Sequence, residues 1–112
     1  MRSRNNALRH GLATPIGDAP ATAQMIESLA KYLAGFSNDY WRIEKARVIA
    51  EAHFDLARIR TARAEVFWRV GDLEESFDSN LSRAVDALKK IARYEQRTRS
   101  KLHCGLKALL EP

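Results

Sequence analysis

The run NDYWRIEKARVIAEAHFDLARIRTARAEVFWRV, residues 38–70, decides the fold. It contains neither proline nor glycine, and helix formers dominate it. At 100° per residue, Glu44, Arg47, Glu51, Asp55, Arg58, Glu65 and Arg69 collect in one narrow stripe. Their order suits intrahelical pairs: Glu44 with Arg47, Arg47 with Glu51, Asp55 with Arg58, Glu65 with Arg69. Such pairs contribute about 0.2–0.5 kcal/mol each, so the stripe is expected to tune solubility more than to fix the fold. Trp41, Ile43, Val48, Ile49, Ala50, Phe54, Leu56, Ile59, Val66, Phe67 and Trp68 fill most of the remaining circumference. A surface helix needs an apolar stripe only a little over 100° wide. This helix is apolar well beyond that, which predicts neighbours on two sides.

Downstream, Gly71 is expected to stop this helix, and Asp72 with Glu75 resembles a capping box that opens a short turn. A further long helix is predicted over 78–110. Leu81, Leu88, Leu102 and Leu109 share one heptad position there, and Ala84, Ile91, Thr98 and Gly105 share its partner. Glu95 interrupts the leucine series, so the spacing predicts a packing seam with a polar gap at its middle.

Upstream, Ser37 or Asn38 is the expected cap of the central helix. A shorter helix is predicted over about 19–35, with Asp18 as cap, Pro20 in the first turn and Gly35 as the stop. Met25, Ile26, Leu29, Tyr32, Leu33 and Phe36 recur along it at three- and four-residue steps. Residues 1–18 read as a flexible arm made positive by Arg2, Arg4 and Arg9, and Asn5, Asn6, Gly11, Pro15 and Gly17 discourage regular structure in it. Leu8 and Leu12 have the spacing of one helical turn that would dock on the body.

The expected fold is therefore all-α: a long antiparallel helical hairpin (helices 38–70 and 78–110), a shorter N-terminal helix packed across both, and a basic arm. The arm covers 1–18 and a single helical domain covers 19–112. Helices of roughly 30 residues are about 45 Å long, and one helix of half that length cannot cover them. The surplus apolar surface predicts a homo-oligomer, most simply a dimer, with Trp41, Val48, Phe54, Ile59, Phe67 and Trp68 at its interface.

Formal net charge is +5, with a pI near 9.7. Much of it sits late in the chain. Between Arg83 and Lys107 there are eight cations against Asp86 and Glu95, a surplus of six. The densest part, Arg93 to Lys101, encloses Tyr94. Clustered cations interleaved with an aromatic suit phosphate and base contact, although a solvated helix face is the commoner fate of such a run. The lone cysteine, Cys104, rules out an internal disulfide and fits a reducing cytosol; it is expected to be a small, semi-buried seam residue. No apolar run approaches a membrane span and the N-terminus lacks a secretory core, so a cytoplasmic location is expected.

Nothing points to catalysis. His10, His53 and His103 lack the one-face spacing of metal ligands, and His103 diverges by 100° from its neighbour Cys104. Cys104 has no local base, the paired carboxylates sit among arginines, and no glycine-rich phosphate loop is present. No enzyme, metal, cofactor or small-molecule substrate is expected.

The arm reads Asn6-Ala7-Leu8-Arg9-His10-Gly11-Leu12. It resembles the N-terminal Asn-Ala-x-x-His-Gly-Leu signature of a group of uncharacterised, largely alphaproteobacterial helical proteins. The stretches Ala46–Ala52, Asp55–Arg60 and Arg93–Tyr94–Glu95–Gln96–Arg97 resemble the same group in the same order. The arm is also similar to that of phage small packaging proteins of the terminase small-subunit type, which bind DNA. That resemblance implies nucleic-acid contact through the arm at Asn6, His10 and Gly11. The expected function is thus a non-enzymatic helical oligomer whose Arg2, Arg4, Arg9, His10, Lys89, Lys90, Arg93, Arg97, Arg99 and Lys101 meet phosphates. The competing expectation is a protein-interaction module, or a structural subunit of a larger assembly, working through the apolar face of the central helix.

Overall fold

The computed structural model is all-helical, and its description covers residues 12, 14–72 and 77–111, with the side chains of 70–80 outside it. Three helices follow one another: α1 (Pro20–Leu33), α2 (Tyr40–Asp72) and α3 (Phe77–Leu110). No strand occurs among the described residues, and no helix among them is long and apolar enough to cross a membrane. The arm up to Gly11, and the capping residue proposed at Glu75, lie outside the described residues.

Local chemistry sets each boundary. Pro20 opens α1 as predicted, but its N-cap is Ala19, without a side-chain cap. Asp18 instead gives its backbone N–H to the Pro15 carbonyl at 3.1 Å, in a turn. The stop at Gly35 is a Schellman motif. Gly35 N–H donates to Tyr32 and Phe36 N–H to Lys31, with φ of +67° at Gly35. Phe36 follows with φ of +58°, an uncommon state for a bulky residue. The cap of α2 is Asp39, one residue beyond the expected pair: its Oδ1 accepts from Trp41 N–H at 3.1 Å. Ser37 supports it by accepting the Asp39 N–H. Gly71 does not stop α2, which continues to Asp72. A glycine inside a helix costs only about 1 kcal/mol, too little to end one that is otherwise packed.

The central helix does have two neighbours. On one side, Ile26, Ala30 and Ala34 of the α1 segment pack on Ala46 and Ala50, with Ile43 and Phe54 half-buried beside them. On the other, Ile59, Ala62 and Val66 of α2 meet Ala84, Ala87 and Ile91 of α3. The short helix thus packs on α2 instead of lying across both long helices. Contacts between α2 and α3 pair Ile49 with Gly105, Asp55 with Thr98 and Arg58 with Tyr94.

The buried line of α3 is Ala84, Ile91, Thr98 and Gly105, one of the two predicted heptad series. The leucine series sits beside it, with Leu81 exposed and Leu88, Leu102 and Leu109 half-buried. Gly105 has a steric reason to be glycine: a Cβ there would stand 2.9 Å from Ile49 Cγ1. Ile59 is fully buried in this core, which removes it from any interface between chains. Leu12 packs into the same cluster, and Leu8, with which it was expected to form a helical turn, lies outside the described residues.

Candidate nucleic-acid interface and the polar centre of the seam

The outward face of α3 is built by elimination. Measured from the buried line, Lys89, Lys90, Arg93 and Arg97 fall in an arc of roughly 100° on the far side of the helix. All four are exposed, and among the described residues none has a carboxylate partner within salt-bridge distance. Lys89, Arg93 and Arg97 recur at four-residue steps, about 6 Å apart along the axis, and Lys90 stands beside Lys89. Arg97 stacks over the Tyr94 ring with its guanidinium carbon 5.7 Å from the centroid, which fixes one cation of the row. Lys101 is exposed on the edge of the same face.

Arg99 differs from the others. It reaches back one turn to Glu95 at 3.1 Å, and Glu95 also accepts from Arg63 of α2. Burial pushes the Glu95 carboxyl up, but Arg99 and Arg63 outweigh that and hold it below the usual carboxylate range. The predicted polar gap in the seam is therefore an ion triad bridging α2 and α3, and Arg99 is partly committed to it.

The larger departure from expectation is the charged stripe of α2, which does not simply face water. Asp55 is only 9% exposed. Its Oδ1 accepts from Arg58 Nη2 at 2.8 Å and Nε at 3.1 Å, and its Oδ2 accepts from the Tyr94 hydroxyl at 2.8 Å. Thr98, buried, donates its hydroxyl to the Tyr94 carbonyl at 3.1 Å and lies 3.5 Å from the same carboxylate. Arg58 also donates to the Tyr94 hydroxyl and, through Nη1, to the Thr14 carbonyl at 2.6 Å. The cluster thus joins both long helices and the segment leading into α1. Burial, with the Asp55 carboxylate next to it, pushes the Tyr94 phenol above its ordinary value. The stripe meets α1 as well: Arg47 Nε donates to Glu27 at 2.6 Å while its other arm pairs with Glu44. That hydrogen bond lowers the Glu27 carboxyl, and Glu51 nearby is raised by burial. The sequence signal for this inversion was present, since Thr98 lies in the seam and Tyr94 adjoins it. Read alone, the spacing of Asp55 and Arg58 pointed only to a local pair.

The remaining predicted positions scatter. Arg2, Arg4, Arg9 and His10 lie outside the described residues. Trp41, Val48, Phe67 and Trp68 are exposed, whereas Phe54 is half-buried against the α1 cluster. Trp41 and Tyr40 meet edge to face at 6.0 Å. Cys104 is exposed and not a seam residue, because its position on α3 points away from α2. Among the described residues, no group of three or more His, Cys, Asp or Glu is placed to hold a metal ion. No family model matches the chain, and neither a curated protein nor a solved structure shows significant similarity to it.

Proposed function

We propose that this chain is a non-enzymatic helical oligomer that grips nucleic acid by its phosphates. The observation that carries the reading is the row of exposed cations on the outward face of α3, Lys89, Lys90, Arg93 and Arg97, without ion-pair partners among the described residues. Arg99 and Lys101 extend it, and Arg2, Arg4, Arg9 and His10 of the arm supply a second contact. In this reading the two long helices form a hairpin that acts as a stiff bar. The arm leaves that bar near Leu12 and Thr14, which are held against the α2–α3 seam. Binding by phosphates alone is independent of base sequence and falls steeply with salt.

The test is duplex binding by fluorescence anisotropy across a salt series. A Lys90→Ala/Arg93→Ala/Arg97→Ala variant should weaken binding at every sequence tried. It should also flatten the log–log salt slope by about 2–3, close to 0.9 for each phosphate no longer neutralised. Equal binding by variant and parent at low salt would overturn the reading.

A second reading, a protein-interaction module, is favoured by the exposed aromatics Trp41, Phe67 and Trp68 on α2. A stoichiometric protein partner retained after nuclease and moderate salt would support it over the first.

A further inference from the structure

Among the described residues, the large apolar side chains left exposed on α3 are Leu81, Val85, Leu106 and Leu110, at 41%, 41%, 39% and 80% of full exposure. At 100° per residue they share one flank of the helix, roughly 120° round from the row of cations. Their spacing is symmetric. Leu81 precedes the midpoint between Glu95 and Gln96 by as many residues as Leu110 follows it, and Val85 and Leu106 are related the same way. Ala92 and Arg99 form a third such pair. A two-fold interface requires this kind of self-complementarity, in which residue i meets j and j meets i.

We infer that this flank of α3 docks on the same flank of a second copy, with the two α3 helices antiparallel about a two-fold axis near Glu95 and Gln96. Leu81 then lies opposite Leu110, and Val85 opposite Leu106, at both ends of the contact. At its centre the small side chain of Ala92 lies level with Arg99 of the second copy, one turn from Glu95. Arg99 already pairs with the Glu95 of its own chain and keeps a side chain 63% exposed, so it can bridge to both carboxylates. A parallel arrangement in register would stack Glu95 on Glu95 and give that charge no new partner. Charge favours this flank too, since docking here turns Lys89, Lys90, Arg93 and Arg97 of both copies outward instead of facing them together. The apolar contact therefore moves from α2, where the sequence placed it, to α3, with exposed Phe67 beside it. The inference rests on the oligomer part of the proposed function and not on the nucleic-acid part.

The test is disulfide trapping in a Cys104→Ser background, read on non-reducing gels with light scattering. The Val85→Cys/Leu106→Cys double variant should form a covalent dimer of twice the 12.7 kDa chain. Neither single variant should do so, because in this arrangement the two copies of either position stand about 32 Å apart along the axis. Cross-linking by Val85→Cys alone would mean a parallel pair and overturn the inference. A parent that scatters as a dimer but yields no cross-link in the double variant would place the interface elsewhere, also overturning it. A parent that is monomeric at all concentrations would remove the oligomer reading as well. As a second measure, Leu106→Glu should halve the scattering mass with unchanged helical dichroism, and an unchanged mass would count against the inference. Loss of dichroism in Leu106→Glu would leave the decision to the disulfide result.

Discussion

Replacing Asp55 by alanine tests whether the charged stripe of α2 is a surface ornament or a structural centre, because the two readings differ several-fold in magnitude. As an exposed i,i+3 pair with Arg58, its loss would cost about 0.2–0.5 kcal/mol. As built, Asp55 accepts from Arg58 twice and from the Tyr94 hydroxyl, and it is nearly closed to water. Removing one partner of a fully buried ion pair costs about 3–5 kcal/mol. Here the Arg58 side chain keeps 21% exposure and its bond to the Thr14 carbonyl, and alanine improves helix propensity by several tenths of a kcal/mol. The expected loss is therefore about 2–3 kcal/mol. For a chain of this size, that lowers Tm by about 8–15 °C. The assay is urea unfolding followed by helical dichroism, at one fixed protein concentration so that self-association does not shift the baseline. Tyr94→Phe should cost about 1 kcal/mol, and the double variant should lose about 1 kcal/mol less than the two singles together. A loss below about 0.5 kcal/mol for Asp55→Ala, or strict additivity, would refute the account of a coupled buried cluster.

Other perturbations follow from the same geometry. Gly105→Ala gains up to about 1 kcal/mol in helix propensity but drives a methyl into Ile49 at 2.9 Å. Overpacking of this kind costs about 1–3 kcal/mol, so the variant should lose about 1 kcal/mol net, with Ile49→Ala partly relieving it in thermal melts. Phe36→Gly should raise stability by about 0.5–1 kcal/mol, since it relieves a left-handed residue whose side chain is exposed; no change or a loss in Tm would show that Phe36 makes a stabilising contact. Glu27 and Glu95 are lowered from an ordinary 4.5 in the folded chain, so their contribution is complete above that pH and is lost as pH falls through and below it. Glu51, raised by burial, works in the opposite sense. Stability measured from pH 6 to pH 3 should fall, and Glu95→Gln should flatten that fall.

The helices were legible because their signals are local. Pro20, Gly35 and the unbroken run after Asn38 fix elements through backbone preferences that do not depend on partners. The buried series Ala84, Ile91, Thr98 and Gly105 was visible as a period for the same reason. What the sequence hid was the direction in which charge faces. A helical wheel shows that Asp55 and Arg58 are neighbours, but only the approach of Tyr94 and Thr98 from α3 turns the pair into a buried centre. Ile59, expected at an interface, was misplaced by the same limit. Ile59 and Trp68 are both large apolar residues of the expected interface, yet Ile59 is fully buried, while Trp68, nine residues on and so on the opposite side of α2, is exposed. The basic face of α3 was readable as a density of cations, and the structure separated Arg99, engaged by Glu95, from the row that faces outward.

Eight of the fourteen buried apolar residues described are alanines. Such an interior is filled by bringing backbones together and not by stacking bulk between them, as the space missing at Gly105 shows. The molecule measures 57 Å by 26 Å by 19 Å, so its helices are long levers meeting across a thin joint. A single added methyl at Ala50, Ala62 or Ala87 enters a packed cluster and is expected to tilt one helix against another. The tilt then grows with distance from the wedge. A change at one crossing is felt most at the far ends, where the exposed leucines of α3 must keep their alignment to meet anything at all.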